Sequence, residues 1–113
     1  WYSTQSPLGP YDSPIAAHAH EAHEQRYVNP GSYRLDAALD GDLLPLLARA
    51  LARPEPRQLI VLHTLGSHYD YSHRHPPAFE RFTPSLRDVD RPDLRDRSQR
   101  EALSNAYDNS ILY

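Results

Sequence analysis

The chain has 113 residues, of which 39% are hydrophobic, and it carries a formal net charge of −3. This length allows one small domain with a modest core and excludes a large enzyme in full. All twelve cationic side chains are Arg interleaved with Asp and Glu, and there is no Cys, so the sequence predicts neither a nucleic-acid partner nor disulfides or thiolate metal sites.

The sequence begins at Trp1 and contains no Met, so we expect a piece of a longer protein. No run approaches the roughly 20 apolar residues that a membrane-spanning helix needs. No charged leader precedes an apolar run either. We therefore expect neither a membrane helix nor a signal peptide within this piece.

Three helices are predicted, at about 14–27, 42–52 and 98–112. Pro14 suits the first turn of the first helix, because its missing N–H would be unpaired there in any case. The second helix carries a Leu at every fourth position, which predicts one buried apolar stripe. The third opens at Ser98 with a Glu three residues later, the pattern of a capping box.

Residues 58–63 are the one segment that the sequence clearly predicts to be a strand. The run from Leu59 to Leu62 is apolar without alternation, which predicts burial on both faces, as in an interior strand of a mostly parallel sheet. One strand cannot make a sheet, so we expect its partners outside this chain. The predicted fold class is α/β.

The first group of His residues lies on the first predicted helix, at His18, His20 and His23. His20 and His23 are three residues apart and would share a helix face, as zinc ligands do. The spacing misses the HExxH pattern by one residue. A solvated helix face is therefore the favoured interpretation, with a metal site as the alternative.

The second group lies in the segment LIVLHTLGSHYDYSHRHP. His63 closes the predicted strand, and His68 follows in the loop at its carboxyl end, where ligands bind in open α/β sheets. Gly66 between them permits a tight turn. His68 can be a metal ligand, an anion contact or an ordinary loop residue, and His63 a structural or a supporting residue.

One Arg and two His residues lie at the end of this segment. Arg74 can hold an anionic substrate or an acidic partner residue. His73 and His75 flank it before a Pro pair, and a surface loop is the favoured interpretation for both.

Four segments in this order resemble the catalytic domain of bacterial phosphoethanolamine transferases in the alkaline phosphatase/sulfatase superfamily: WYSTQS, DLLPLL, LIVLHTLGSHYDYSHRHPPAFERFTP and NAYDNSILY. The resemblance spans nearly the whole chain. It implies that residues 1–113 are a fragment of one catalytic domain with an alkaline phosphatase-like sandwich of sheet and helices. It also implies the periplasmic domain of an inner-membrane protein, whose membrane contact is made by an N-terminal region absent here.

The family activity is the zinc-dependent transfer of phosphoethanolamine from phosphatidylethanolamine to a lipopolysaccharide core or glycan acceptor, through a Thr-linked intermediate. By resemblance, His68 contacts the transferred phosphoryl group or a second zinc, with His63 and Arg74 as further substrate-binding residues. The resemblance places the nucleophile and the primary zinc ligands outside this chain, so the fragment is expected to hold no catalytic residue and to be inactive alone. Three Thr residues stand outside the nucleophile motif: Thr4, Thr64 and Thr83.

Two departures from the family pattern affect the interpretation. The absence of Cys favours an acceptor of the core-sugar, glucan or an uncharacterised type over lipid A, and His75 stands where Tyr is usual. Two alternatives remain open: a sulfatase or phosphoglycerol transferase of the same superfamily, and a non-catalytic module that binds a partner or a metal through its His residues.

Overall fold

The computed structural model describes residues 1–8, 13–29 and 38–113. They fall into two compact units, residues 1–65 and residues 66–113. In the described ranges, no helix is long and apolar enough to cross a membrane.

The first unit contains a small parallel sheet of three strands among its described residues. The strand order is β2-β1-β3, with β1 at Tyr2–Ser3, β2 at Arg26–Tyr27 and β3 at Leu62–His63. The N–H of Tyr2 donates to the carbonyl of Val61 at 2.9 Å, and that of Val28 donates to the carbonyl of Ser3 at 2.9 Å. Because parallel strands share a direction, Ser3 and His63 pair at the carboxyl edge of the sheet.

Two helices accompany this sheet, α1 at Ser13–Ala19 and α2 at Leu44–Leu51. A 3₁₀ turn at Asp40–Leu43 leads directly into α2, and Pro45 lies in its first turn, where a missing N–H is tolerated. The apolar core of this unit consists of Tyr2, Leu43 and Ala50, with Val28, Leu46 and Ile60 packed against it.

The second unit is a loop segment packed on one helix, α3 at Arg100–Leu112. Four 3₁₀ turns precede the helix, at Tyr71–His73, Pro77–Phe79, Leu86–Asp88 and Arg97–Gln99. The buried face of α3 presents Ala102, Ala106, Asn109 and Ser110. The apolar core of the second unit is small and consists of Leu86, Ala102 and Ala106.

The α/β class is confirmed, but the buried strand predicted at 58–63 is wrong in length and burial. Only Leu62–His63 is strand, and Leu59 is 91% exposed. The backbone bonds between β1 and β3 join Tyr2 to Val61 and Thr4 to His63. The expectation that all partner strands lie outside the chain is also wrong, since β1 and β2 belong to it.

The predicted helices at 42–52 and 98–112 are confirmed as α2 and α3, with slightly shorter bounds. The helix predicted at 14–27 ends at Ala19, and its last two residues form β2. Backbone pairing with β1 outweighs the helix propensity of that segment. The capping box at Ser98 does not form, because Asp96 accepts the N–H of Ser98 at 2.9 Å and caps the preceding 3₁₀ turn instead.

Candidate functional site

His63 lies at the carboxyl end of β3 and is held from two sides. Its Nδ1 is 3.1 Å from the hydroxyl of Ser3, and its ring packs edge-on against Trp1 with centroids 5.5 Å apart. The Ser3 hydroxyl also donates to the carbonyl of Gln5 at 3.1 Å. The Ser3 hydroxyl is thus shared between the ring of His63 and the backbone of Gln5.

A second polar contact at the same edge holds the start of the loop that follows β3. Thr4 donates its hydroxyl proton to Asp40 Oδ1 at 2.5 Å. The N–H of Leu65 donates to both the Thr4 hydroxyl and Asp40 Oδ1, each at 2.9 Å. Thr4 is only 2% exposed, so its hydroxyl serves as an anchor for the loop.

Gly66 opens the second unit with a φ of +59°, in the left-handed region that favours glycine. The tight turn expected at this position is therefore present. His68, which lies two residues after Gly66, is exposed to solvent.

The ring of His68 has a defined hydrogen-bonding role. Its Nδ1 lies 2.6 Å from the carbonyl of Tyr69. A carbonyl only accepts, so Nδ1 carries the proton and Nε2 carries the lone pair of the neutral ring. This is the arrangement in which a His binds a metal through one nitrogen while a backbone carbonyl fixes the other. Nε2 can therefore bind zinc or, in the protonated ring, donate to a phosphate oxygen.

Arg74 is buried, with 6% of its surface exposed. Its Nε donates to the carbonyl of His68 at 2.9 Å. The side chain thus joins the two ends of the segment 68–74 and brings a guanidinium group to the backbone of His68. Of the sequence-predicted site residues, these two are brought together by the structure within the second unit.

His75 is also buried, at 2% exposure, so the prediction that it lies in a surface loop is wrong. Its Nε2 is 2.8 Å from Glu80 Oε2, and this contact with a carboxylate holds the ring inside the unit. Its Nδ1 is buried with no hydrogen-bond partner among the described residues. His73, by contrast, is half-buried, with Nε2 3.9 Å from Asp70.

Glu80 is the centre of this polar network, which the sequence did not predict. Arg87 Nε lies 3.2 Å from Glu80 Oε2, and Asn109 Nδ2 donates to Oε1 at 3.0 Å. Burial raises the pKa of Glu80, but hydrogen bonds from Ser85 and His75 and the charge of Arg87 outweigh burial, so this pKa lies below its ordinary value. Glu80 is therefore an ionised acceptor for several elements of the second unit.

Asn109 on α3 holds the loop from the other side and is fully buried. Its Oδ1 accepts the N–H groups of Arg81 at 2.8 Å and Phe82 at 2.9 Å, and its Nδ2 also donates to the carbonyl of Phe82 at 2.9 Å. Asn109 therefore has a packing role within the second unit.

The first group of His residues does not share a helix face. α1 ends at Ala19, so His20 and His23 lie beyond it and the shared face expected from their spacing is absent. In the described part of the chain, no group of three or more His, Cys, Asp or Glu side chains is arranged to hold a metal. His18 and His23 instead line an open cavity of about 730 Å³ in the first unit, beside the ion pair of Glu24 and Arg53.

The sequence profile of the sulfatase family matches residues 1–113. The chain therefore belongs to the sulfatase family. Within this family it matches phosphoethanolamine transferases, in agreement with the resemblance carried by its four motifs.

Three curated relatives illustrate this match. Phosphoethanolamine transferase OpgE of Escherichia coli K12 is 37% identical over 87 residues, which are 75% of this chain and 16% of OpgE. Phosphoethanolamine transferase EptA of Salmonella typhimurium is 48% identical over 56 residues, 49% of this chain and 10% of EptA. EptC of Escherichia coli K12 is 26% identical over 113 residues, 100% of this chain and 19% of EptC. The chain thus spans less than a fifth of the length of these relatives.

A solved structure supports the fold assignment. The C-terminal periplasmic domain of EptC from Escherichia coli, in complex with Zn, matches with a TM-score of 0.79 at 26% identity. The match covers 100% of this chain and 31% of that domain. The structural counterpart is therefore a periplasmic domain, in accord with the location expected from the sequence, and it is a zinc complex.

Proposed function

We propose that the protein containing this chain is a zinc-dependent phosphoethanolamine transferase. Its donor is phosphatidylethanolamine and its acceptor a lipopolysaccharide core or another glycan. The chain is then part of one catalytic domain in the periplasm, belonging to an inner-membrane protein. The observation that carries this proposal is the fixed ring of His68, in a segment whose sequence matches phosphoethanolamine transferases.

His68 is the proposed contact with the transferred phosphoryl group. Phosphoryl transfer requires positive charge or hydrogen-bond donors around the phosphoryl oxygens. With Nδ1 committed to the carbonyl of Tyr69, Nε2 is the nitrogen that meets either an oxygen or a metal. Arg74 assists as a substrate-binding residue, because its buried guanidinium places positive charge at the backbone of His68. His63 has a supporting role at the end of β3.

His68 can provide one ligand to a zinc ion, which would be a second zinc of the site. We propose that the primary zinc ligands and the Thr nucleophile belong to the rest of the protein. Zinc, when bound, supplies a Lewis acid that activates the nucleophile and polarises the phosphoryl group. The residues of this chain orient the phosphoryl group and add hydrogen-bond donors. It follows that the isolated 113-residue chain has no transferase activity.

The test of the reaction uses the intact protein with zinc, a fluorescent phosphatidylethanolamine and a lipopolysaccharide acceptor, which takes the phosphoethanolamine group from the Thr-linked intermediate. We expect release of fluorescent diacylglycerol, because transfer of the phosphoethanolamine group leaves the diacylglycerol hydroxyl behind. The same preparation should leave an aryl sulfate and a phosphatidylglycerol analogue unchanged. Turnover of either of these in place of phosphatidylethanolamine would instead support the second candidates, a sulfatase or a phosphoglycerol transferase of the same superfamily.

A further inference from the structure

Arg87 makes an unusual set of contacts for a residue in an Arg- and Asp-rich stretch. Its Nε donates to the carbonyl of Ser72 at 3.0 Å, and its Nη2 donates to the same carbonyl at 2.5 Å. Nη2 also donates to the carbonyl of His75 at 2.8 Å. The same Nε also lies 3.2 Å from Glu80 Oε2, so the guanidinium group forms an ion pair with this carboxylate.

The two carbonyl groups that accept hydrogen bonds from Arg87 belong to Ser72 and His75, which flank Arg74 in the sequence. Ser72, Arg74 and His75 are buried, at 6%, 6% and 2% exposure. The backbone of this short stretch is thus held at both ends by one guanidinium group. Arg74 in turn holds the carbonyl of His68 through its Nε. Arg87 is thus linked to His68 through the backbone of residues 72–75 and the side chain of Arg74.

We propose that Arg87 is a positioning residue for substrate binding by His68 and Arg74, an inference that rests on the proposed function. It fixes the backbone from which the Arg74 side chain departs, and Arg74 then fixes the backbone of His68. Only Arg offers several N–H donors in one rigid plane, whereas Lys offers a single flexible ammonium group. Arg87→Lys therefore keeps the charge opposite Glu80 and removes the fork that spans two carbonyls.

The experiment compares the intact protein with its Arg87→Lys and Arg91→Lys variants. Arg91 is a matched control, because its side chain is 95% exposed and its Nε lies 3.9 Å from the exposed carboxylate of the neighbouring Asp90. With fluorescent phosphatidylethanolamine, we expect Arg87→Lys to raise KM and lower kcat/KM by about tenfold, since small misplacements of a binding group are costly. Arg91→Lys should stay within about twofold of the parent. The thermal midpoint is measured for all three proteins.

The split between KM and kcat separates positioning from general damage. A variant that only loses folded protein shows a lower kcat at unchanged KM and a lower thermal midpoint, and that result would overturn the proposal. Parental KM and kcat/KM for Arg87→Lys would overturn it as well.

Hydrogen exchange of the amides of residues 68–75, followed by mass spectrometry, provides a readout that does not need turnover. We expect faster exchange there in Arg87→Lys and parental exchange in Arg91→Lys. If the parent protein does not cleave phosphatidylethanolamine, the proposed function fails, and the role of Arg87 is then decided by exchange alone. Parental exchange in Arg87→Lys would reject that role.

Discussion

The two units of this chain are stabilised in different ways. The first is built around apolar side chains, with Leu43 at 1% exposure next to Tyr2 and Ala50 under a parallel sheet. The second has only a small apolar core, and its loop is held by buried polar side chains centred on Glu80 and Asn109. His68, the proposed contact with the phosphoryl group, lies in the second unit. The loop that is proposed to contact the phosphoryl group is thus held by directional bonds, which fix geometry more narrowly than apolar contact does.

The largest effect on stability is expected from Leu43→Ala in the first unit. Removing a fully buried Leu side chain leaves a cavity and costs about 3 kcal/mol. Leu44→Ala is the matched control, because Leu44 is 61% exposed, and it should cost less than about 1 kcal/mol. Hydrogen exchange in the intact protein, read at residues 2–8 and 40–51, measures both. Equal effects of the two substitutions would mean that the apolar core does not hold this unit.

A smaller effect, dependent on pH, is expected from Glu80→Gln in the second unit. At neutral pH this change removes the charge that faces Arg87 and weakens hydrogen bonds to a buried acceptor, at a cost of about 1–2 kcal/mol. The lowered pKa of Glu80 means that its stabilisation is present above its ordinary pKa of 4.5 and is lost as the pH falls through the lower folded value.

Glu80→Gln should therefore flatten the pH dependence of exchange at residues 68–88 in the acid range. Asp90→Asn is the control, since this carboxylate is fully exposed. An unchanged acid profile in Glu80→Gln would show that the carboxylate does not hold the loop.

The fold class and two of the three helices were predictable because they depend on local signals. Apolar spacing and breakers mark α2 and α3 within the sequence itself. The bounds of β3 were not predictable, since the length of a strand depends on its partner, and β1 is only two residues long. An apolar run such as Leu59 to Leu62 indicates burial but does not show what covers it.

The residues of the candidate site could be proposed from the sequence, but the side chains that hold them in place could not. His68 and Arg74 stand in a recognisable motif, whereas Glu80 and Arg87 act through contacts between residues 5 to 29 positions apart, with no periodic spacing. The position of His75 next to a Pro pair suggested a surface loop, although Glu80 holds its ring inside the unit. A contact of this kind leaves no pattern in the sequence beyond the residue types themselves.

The central claim is that His68, and not the first group of His residues, meets the phosphoryl group. The most direct measurement is the rate at which the intact protein cleaves fluorescent phosphatidylethanolamine, compared between His68→Ala and His23→Ala. We expect kcat/KM to fall by about a hundredfold or more in His68→Ala, as when a donor to a transition-state oxygen is removed, and to change little in His23→Ala. Equal losses in the two variants would contradict the account.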